Sequence, residues 1–440
     1  MTTASTRSAY RLAAQETQRL STFLPRNYCV ATSSAQLRKR TIPLFVTEKL
    51  KDMQSEIANQ FISNTPYSTA SYTSLNTITN TSSSFTTSLE KMAKYYFEQG
   101  GKMLRPTIAL LMASACNAAA PKGVRLECGS EEVSLNQYKI GMISEMIHTA
   151  SLVHDDVIDG ADTRRGNASV NAIWGNKMAV LVGDFILARA TQILCSINRP
   201  NVISVMASII EDLVMGEFMQ MTAKTGATDD TMEQYMEKTF RKTASLFANT
   251  CKSVALLAEG TADLQWRASE YGRHLGIAFQ LVDDVLDFIS SADIAGKPVS
   301  ADLRLGCTIS HFKLSSVIED FVFVTTHFYR WKITFQRKTV ICLYICFHKV
   351  LFEGLATGPV ILAAQQYPEL NTLMARKFAE RGDVDRARNI VLNSDGITRT
   401  RKLAQQHSQD AARLAATLPN GEGAADILVD FALSQIDRQS

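Results

Sequence analysis

The sequence predicts an all-α fold. Three observations carry that reading. Apolar residues recur at the i, i+3, i+4 spacing of a helix through most of the chain between Leu44 and Asp437. No stretch alternates apolar and polar residues as a half-buried strand would. The breaks between most successive helical runs are short, as they are where helices pack against their sequence neighbours in a bundle.

Taken in order, Leu44–Phe61 is the first helix, and Ser63–Ser88, dominated by Ser, Thr and Asn, reads as a linker. Leu89–Phe97 leads into the break at Gly100-Gly101. Leu104–Cys116 follows, apolar and Ala-containing, with Pro106 in its first turn, where the missing N–H matters least. Gln137–Asp159, Ala179–Ile197, Val202–Thr225, Asp230–Ala258 and Thr261–Ser290 continue the series. After Leu355 the helical runs are Val360–Gln366, Asn371–Ala379, Val384–Leu392, Gly396–Ala416 and Gly423–Asp437.

A chain of 440 residues can bury a substantial core. The net charge of +3 is too small to argue for a nucleic-acid partner. The eight cysteines form no C-x-x-C pair and no dense framework, so reduced thiols are expected. No window reaches the ~18 consecutive apolar residues of a membrane span, and no transmembrane helix is predicted. Residues 1–42 stand apart. They are rich in Ser, Thr, Ala and Arg, and Glu16 is their only acidic residue. Arg7, Arg11, Arg19 and Arg26 alternate with Tyr10, Leu12, Leu20 and Phe23. That is the composition of a mitochondrial transit peptide; a secretory signal would need a continuous apolar core.

The chemistry gathers at two acidic clusters. Asp155-Asp156-Val157-Ile158-Asp159 ends one apolar helical run, and Asp283-Asp284-Val285-Leu286-Asp287 ends another. In each, the first and last aspartates stand one turn apart and share a face. A lone cluster of this kind is often a solvated helix end. Two copies in apolar helices, one followed by Thr163-Arg164-Arg165-Gly166, argue for a shared site for a hard cation. Mg²⁺ suits it, because Mg²⁺ takes one or two carboxylates and completes its shell with water and phosphate oxygens. His148 lies two turns before Asp155 and faces the same side.

These residues, with Gly100-Gly101-Lys102-Met103-Leu104-Arg105-Pro106, Gly216-Glu217-Phe218-Met219-Gln220, Lys242-Thr243-Ala244, Gln280 and Gly296-Lys297-Pro298, occur in an order that resembles the trans-polyprenyl diphosphate synthases. The resemblance covers roughly residues 90–306 and resumes at 355. It implies an isoprenoid-synthase helical bundle around a central apolar cavity. It also implies repeated condensation of isopentenyl diphosphate onto an allylic diphosphate, as for a ubiquinone side chain. The product would have around six to ten isoprene units.

The roles that follow are implied by the same resemblance. Asp155 and Asp159 would hold two Mg²⁺ ions with Asp156 in support, and Asp283 a third with Asp284 and Asp287. Arg164, Lys242 and Lys297 would bind the allylic diphosphate. Lys102, Arg105, His148 and Arg165 would bind isopentenyl diphosphate. Thr243 and Gln280 would supply hydrogen bonds near the reacting carbon. Glu217 and Gln220 read as structural polar contacts. Ala150 and Ser151 stand ~6–8 Å below the first cluster on its helix. Short-chain relatives carry a bulky aromatic there, so small side chains imply a long product. The family pattern implies a homodimer, mitochondrial location in the matrix or at the matrix face of the inner membrane, and at most peripheral membrane contact for product release. Three alternatives are a short-chain synthase making C15 or C20 products, a non-catalytic subunit, and a terpene cyclase. A dead subunit would be expected to lose aspartates, and cyclases generally lack the second cluster.

Residues 307–354 read as foreign to the rest. This stretch contains no Ala, Pro or Asn and is crowded with Phe, Tyr, His, Cys, Ile and Val. Joining Gly306 to Leu355 restores a continuous family-like segment. The domain is therefore expected to comprise 43–306 and 355–440, with 307–354 a translated intron or a gene-model error. A long exposed run of strand-prone apolar residues would be an aggregation hazard.

Overall fold

A computed structural model describes residues 42–61, 82–99, 101–118, 133–222, 229–289, 357–420 and 423–438. Nearly all of the expected transit peptide, Lys297, and the whole of 307–354 lie outside the described residues. The helices are α1 Leu44–Asn59, α2 Ser82–Glu98, α3 Leu104–Asn117, α4 Leu135–Ile158, α5 Val170–Trp174, α6 Asn176–Ser196 and α7 Pro200–Thr222. They continue with α8 Asp229–Thr239, a π-helical turn Phe240–Ala244, α9 Ser245–Leu257 and α10 Ala262–Ile289. After residue 356 come α11 Gly358–Gln366, α12 Glu369–Ala375, α13 Asp383–Asn393, α14 Gly396–Ala416 and α15 Ala424–Ser434. The all-α expectation holds.

α3 is the centre of the bundle. After Arg105 it carries no charge, and every residue from Pro106 to Asn117 is buried. A helix that is uncharged all round is stable only with neighbours on every side. α4, α9 and α15 supply them. α4 starts on a capping box: Gln137 N donates to Ser134 Oγ at 3.3 Å, and Ser134 N donates to Gln137 Oε1 at 2.9 Å. The Gln137 amide also exchanges hydrogen bonds with Asn117 at 2.8 and 2.9 Å, tying α4 to the end of α3. α10 packs between α9 and α14. The C-terminal helices are fastened by Tyr271 Oη donating to the Leu428 carbonyl at 3.0 Å and Ser408 Oγ to the Ala432 carbonyl at 2.7 Å.

Four local expectations change. The Ser/Thr-rich stretch is helical from Ser82, inside the expected linker. Met92, Ala93, Tyr96 and Phe97 are buried on that helix, and a nucleated helix extends through weak formers because each added residue gains a hydrogen bond. A two-residue antiparallel hairpin, β1 Thr163–Arg164 with β2 Asn167–Ala168, pairs Arg164 with Asn167. Its turn residues Arg165 and Gly166 both have positive φ, 52° and 81°, as a tight two-residue hairpin requires. The run expected as one helix, 230–258, is broken by the π-helical turn. Finally, α6, read as beginning at Ala179, starts at Asn176; by length and mean hydropathy alone it could cross a membrane. It packs on α4, α5 and α2 as a bundle helix.

Candidate active site

Asp155, Asp156 and Asp159 sit at the end of α4, and their carboxylates part ways. Asp156 is fully buried. It accepts hydrogen bonds from Arg164 Nε at 2.9 Å and Nη2, and from the phenol of Tyr96 on α2. Tyr96 Oη in turn accepts from Val170 N at 3.3 Å, at the start of α5. Burial and the Asp156 carboxylate push the Tyr96 phenol well above its ordinary pKa. Asp155 is partly exposed, near enough to Glu217 of α7, Lys242 and Asp159 to feel their charges. Burial, then Glu217, push its carboxyl up to about 8; Lys242 partly offsets them, and Asp159 adds to the rise.

The hairpin after α4 carries adjacent arginines to two places. Arg164 reaches Asp156. Arg165 approaches Gly101, where a Cβ would stand 3.1 Å from its Nη1. Together they border a small open cleft whose lining includes Gly101, Met103, Glu145, Thr149, Arg164 and Arg165. Arg105 lies beside it, stacked 4.9 Å over the Phe247 ring. Burial lowers the Arg105 pKa to about 10, countered by the Glu145 carboxylate. His148 is held well below its ordinary value by burial and by Arg105, Arg165 and Arg164, so its ring is neutral. Lys102 is exposed at the rim.

The π-helical turn supplies the next two residues. Such turns add a residue to a helix and redirect side chains. Lys242 Nζ donates to Gln220 Oε1 at 2.9 Å and pairs with Glu217. Burial would lower its pKa, but Glu217 and Asp155 raise it overall, so the ammonium persists. Thr243 Oγ1 donates to Gln280 Oε1 at 2.9 Å, and Gln280 Nε2 donates to Asp284 Oδ1 at 2.9 Å.

The second cluster repeats the division of the first. Asp284 is buried and accepts from Tyr235 Oη at 2.5 Å, from Gln280 and from Gly358 N at 3.3 Å. Asp283 is less buried and pairs with Arg438, whose guanidinium lies 3.9 Å from the Phe279 ring centroid. Asp287 is partly buried on the same helix.

The expected grouping of Asp155, Asp156 and Asp159, and of Asp283 and Asp284, thus resolves by position. The middle aspartates face inward, each saturated by protein donors, because a buried carboxylate is tolerable only when fully hydrogen-bonded. The other carboxylates of the clusters, Asp155, Asp159, Asp283 and Asp287, offer hard oxygens that are at least partly exposed. That chemistry fits Mg²⁺. Among the described residues no three such side chains form a preformed cage, which suits an ion that completes its shell with water and phosphate. Ala150 is fully buried in the core and Ser151 is partly exposed, its Oγ donating to the His148 carbonyl at 2.9 Å. Lys297 lies outside the described residues.

Several residues here were not singled out from sequence. Tyr96, Tyr235 and Arg438 carry no local signal; only the fold brings them to the aspartates. Glu145 sits three residues before His148 on an apolar helix, and a buried charge in such a run was a readable cue. Glu217 and Gln220, read as structural polar contacts, make such contacts with Lys242.

The profile described as polyprenyl synthetase matches residues 86–313. The human all-trans-polyprenyl-diphosphate synthase is 44% identical over 328 residues, covering 74% of this chain and 66% of that protein. This chain therefore spans just under two thirds of that relative's length. Mitochondrial solanesyl-diphosphate synthase 1 of Oryza sativa subsp. japonica is 37% identical over 341 residues, covering 76% of this chain and 67% of that protein. A polyprenyl synthase from Caulobacter crescentus CB15, solved with calcium and isoprenyl diphosphate, matches with a TM-score of 0.64 at 24% identity. That match covers 90% of this chain and 96% of the other, and it shows a shared fold. By its sequence match and its helical architecture, the chain belongs to the polyprenyl synthetase family.

Proposed function

We propose that the protein is a Mg²⁺-dependent trans-prenyltransferase that condenses isopentenyl diphosphate repeatedly onto an allylic diphosphate, making a long-chain polyprenyl diphosphate for ubiquinone. The observation that carries this is the repetition of two aspartate clusters, each with one carboxylate buried as an anchor and its neighbour close to a cation, Lys242 in one and Arg438 in the other. The names of the relatives favour a long product over a C15 or C20 one. Both clusters are intact, which favours an active enzyme over a silent subunit.

Asp155, Asp159 and Asp283 would hold the metal, with Asp287 beside them. The bound Mg²⁺ supplies charge stabilisation for the departing diphosphate. Calcium in the Caulobacter relative supports a divalent ion at such a site. Asp156 keeps the Arg164 guanidinium fixed, so it needs no reorganisation when the allylic diphosphate develops charge. Lys242, held charged by its carboxylate neighbours, would serve the same diphosphate together with Lys297. Lys102, Arg105 and Arg165 receive the isopentenyl diphosphate at the cleft by Gly101, and the neutral His148 hydrogen-bonds rather than adding charge. The apolar faces of α3 and α4 exclude water that would quench an allylic cation. Pyrophosphate itself would take up the proton that is lost.

A homodimer is supported by α6 and α7. Leu181, Met215 and Phe218 are large apolar side chains exposed on these helices at 51%, 42% and 56%. Mitochondrial placement is supported by residues 1–42 and by the mitochondrial rice relative; the matrix or its membrane face is the expected site. A fluorescent fusion of residues 1–42 that stayed in the cytosol would reject it. The reading of 307–354 as a translated intron or gene-model error is supported by the family match, which stops at 313 while helices resume at Gly358 and pack into the same bundle. Pyrophosphate release from isopentenyl diphosphate plus an allylic primer tests the activity. Release that needs Mg²⁺ and stops in EDTA supports it; no release, or release indifferent to EDTA, contradicts it.

A further inference from the structure

The π-helical turn that carries Lys242 and Thr243 is held at two points by a carboxylate of α7. Asp212 of α7 accepts from Arg241 Nη1 at 2.9 Å through Oδ1 and from Ser245 Oγ at 2.5 Å through Oδ2. Arg241 immediately precedes Lys242, and Ser245 immediately follows the turn, so the two oxygens grip it at both ends. Arg241 Nε donates also to Glu237 Oε1 at 2.8 Å, and Asn249 Nδ2 to Ser245 Oγ at 3.1 Å.

The same face of α7 continues to the active site. Asp212, Gly216 and Gln220 are spaced i, i+4, i+8 and form one ridge. At Gly216 a Cβ would stand 2.6 Å from Lys242 Cγ and 3.1 Å from its backbone N, so only glycine lets α7 approach the turn this closely. On the opposite side, a Cβ at Gly276 of α10 would stand 2.5 Å from Ala244 Cα. The turn is thus wedged between two helices and clamped lengthwise by Asp212. Its two central side chains then divide the work: Lys242 reaches Glu217 and Gln220 beside Asp155, and Thr243 reaches Gln280 and through it Asp284.

We propose that Asp212 is a positioning residue for prenyl transfer. By bridging Arg241 and Ser245 it fixes the π-helical register that aims Lys242 at the first aspartate cluster and Thr243 at the second. An ordinary α-helical turn in its place would rotate both side chains away. Asp212 touches no substrate. The effect therefore falls on the allylic diphosphate, which Lys242 serves, and not on the isopentenyl diphosphate bound near Gly101.

The role rests on the prenyl-transfer reading, and its test has one arm that needs no turnover. Calorimetry of Mg²⁺ with pyrophosphate should show affinity at least five-fold weaker in Asp212→Asn than in the wild type. In steady state, KM for the allylic primer should rise at least five-fold and kcat fall at least ten-fold, while KM for isopentenyl diphosphate changes less than two-fold. Ser245→Ala, which removes one arm of the clamp with minimal change in volume, should shift the same parameters in the same direction, though less. Asp212→Asn combined with Arg241→Gln should be no worse than the worse single variant, since the two act as a unit. Unchanged pyrophosphate affinity, equal changes in both KM values, or additive single effects would overturn the proposal. Absence of turnover in the wild type would reject prenyl transfer, and the calorimetric arm would still decide the role of Asp212.

Discussion

Tyr235 of α8 donates a 2.5 Å hydrogen bond to the buried carboxylate of Asp284 on α10. Tyr96 stands in the same relation to Asp156. Two tyrosines from unrelated helices thus anchor the middle residue of each aspartate cluster. Tyr235→Phe removes one protein donor to Asp284 while others remain, and the loss should be about 1–2 kcal/mol, at the low end for an undersatisfied buried acceptor. Chemical denaturation of the purified variant reads this directly; an unchanged midpoint would mean the phenol is not needed to hold the carboxylate.

Adjacent aspartates should behave oppositely. Asp156→Ala leaves the Arg164 guanidinium without its buried partner and should destabilise by about 3 kcal/mol or more. Asp155→Ala removes a carboxylate crowded by Glu217 and Asp159. It should leave the melting temperature unchanged or slightly higher while lowering turnover by several orders of magnitude. Equal melting temperatures for the two variants would contradict the assignment of anchor and ligand.

A pair of histidines should make stability depend on pH. His274 of α10 and His407 of α14 share a 2.9 Å Nδ1···Nδ1 contact, with Glu270, Arg273, Asp410 and Arg413 around them. Burial lowers His274 to about 3, aided by His407 and by Arg273 and Arg413. Burial, then Arg273, lowers His407 to about 4. Folded values below the ordinary one mean that the unfolded chain binds more protons. Stability from the pair is therefore complete above pH ~6.5 and is lost as pH falls from there towards 4, by up to ~1.4 kcal/mol per pH unit for each proton taken up. Denaturation midpoints between pH 7.5 and 4.5 should fall less steeply in His407→Gln than in the wild type. Parallel slopes would show that other groups dominate.

The helical fold and the two clusters were legible in the sequence because both rest on local spacing: apolar residues at the helical period, and carboxylates one turn apart. The division of labour within each cluster was not. Asp155 and Asp156 are neighbours of identical type, and only the approach of Tyr96 and Arg164 decides which one turns inward. The break at Phe240–Ala244 was hidden for a related reason. Its residues suit an uninterrupted helix, and the contacts that the π-helical turn makes with α7 and α10 are not local in sequence. Arg438 reaches Asp283 across 155 positions, a distance at which spacing carries no information.

Chain length should respond to bulk below the first cluster. Ala150→Phe should shorten the product, but Ala150 is enclosed on all sides and the ring should also cost about 1–3 kcal/mol by overpacking. Ser151→Phe, at a partly exposed position, separates the two effects. Unchanged product length in both would place the floor of the cavity elsewhere.

Removal of 307–354, joining Gly306 to Leu355, should raise the yield of folded protein and preserve or increase turnover. Sequencing of the mature transcript across these two residues should find them adjacent. A message carrying the full stretch, with lower activity after its deletion, would show that it belongs to the protein.

The central claim is that the paired aspartate clusters elongate an isoprenoid chain. Its most direct test is product analysis after purified protein lacking residues 1–42 is incubated with labelled isopentenyl diphosphate, an allylic primer and Mg²⁺. The account predicts polyprenyl diphosphates of around six to ten isoprene units, absent in EDTA and in Asp283→Ala. Products that stop at three or four units, or no product from a well-folded protein, would contradict it.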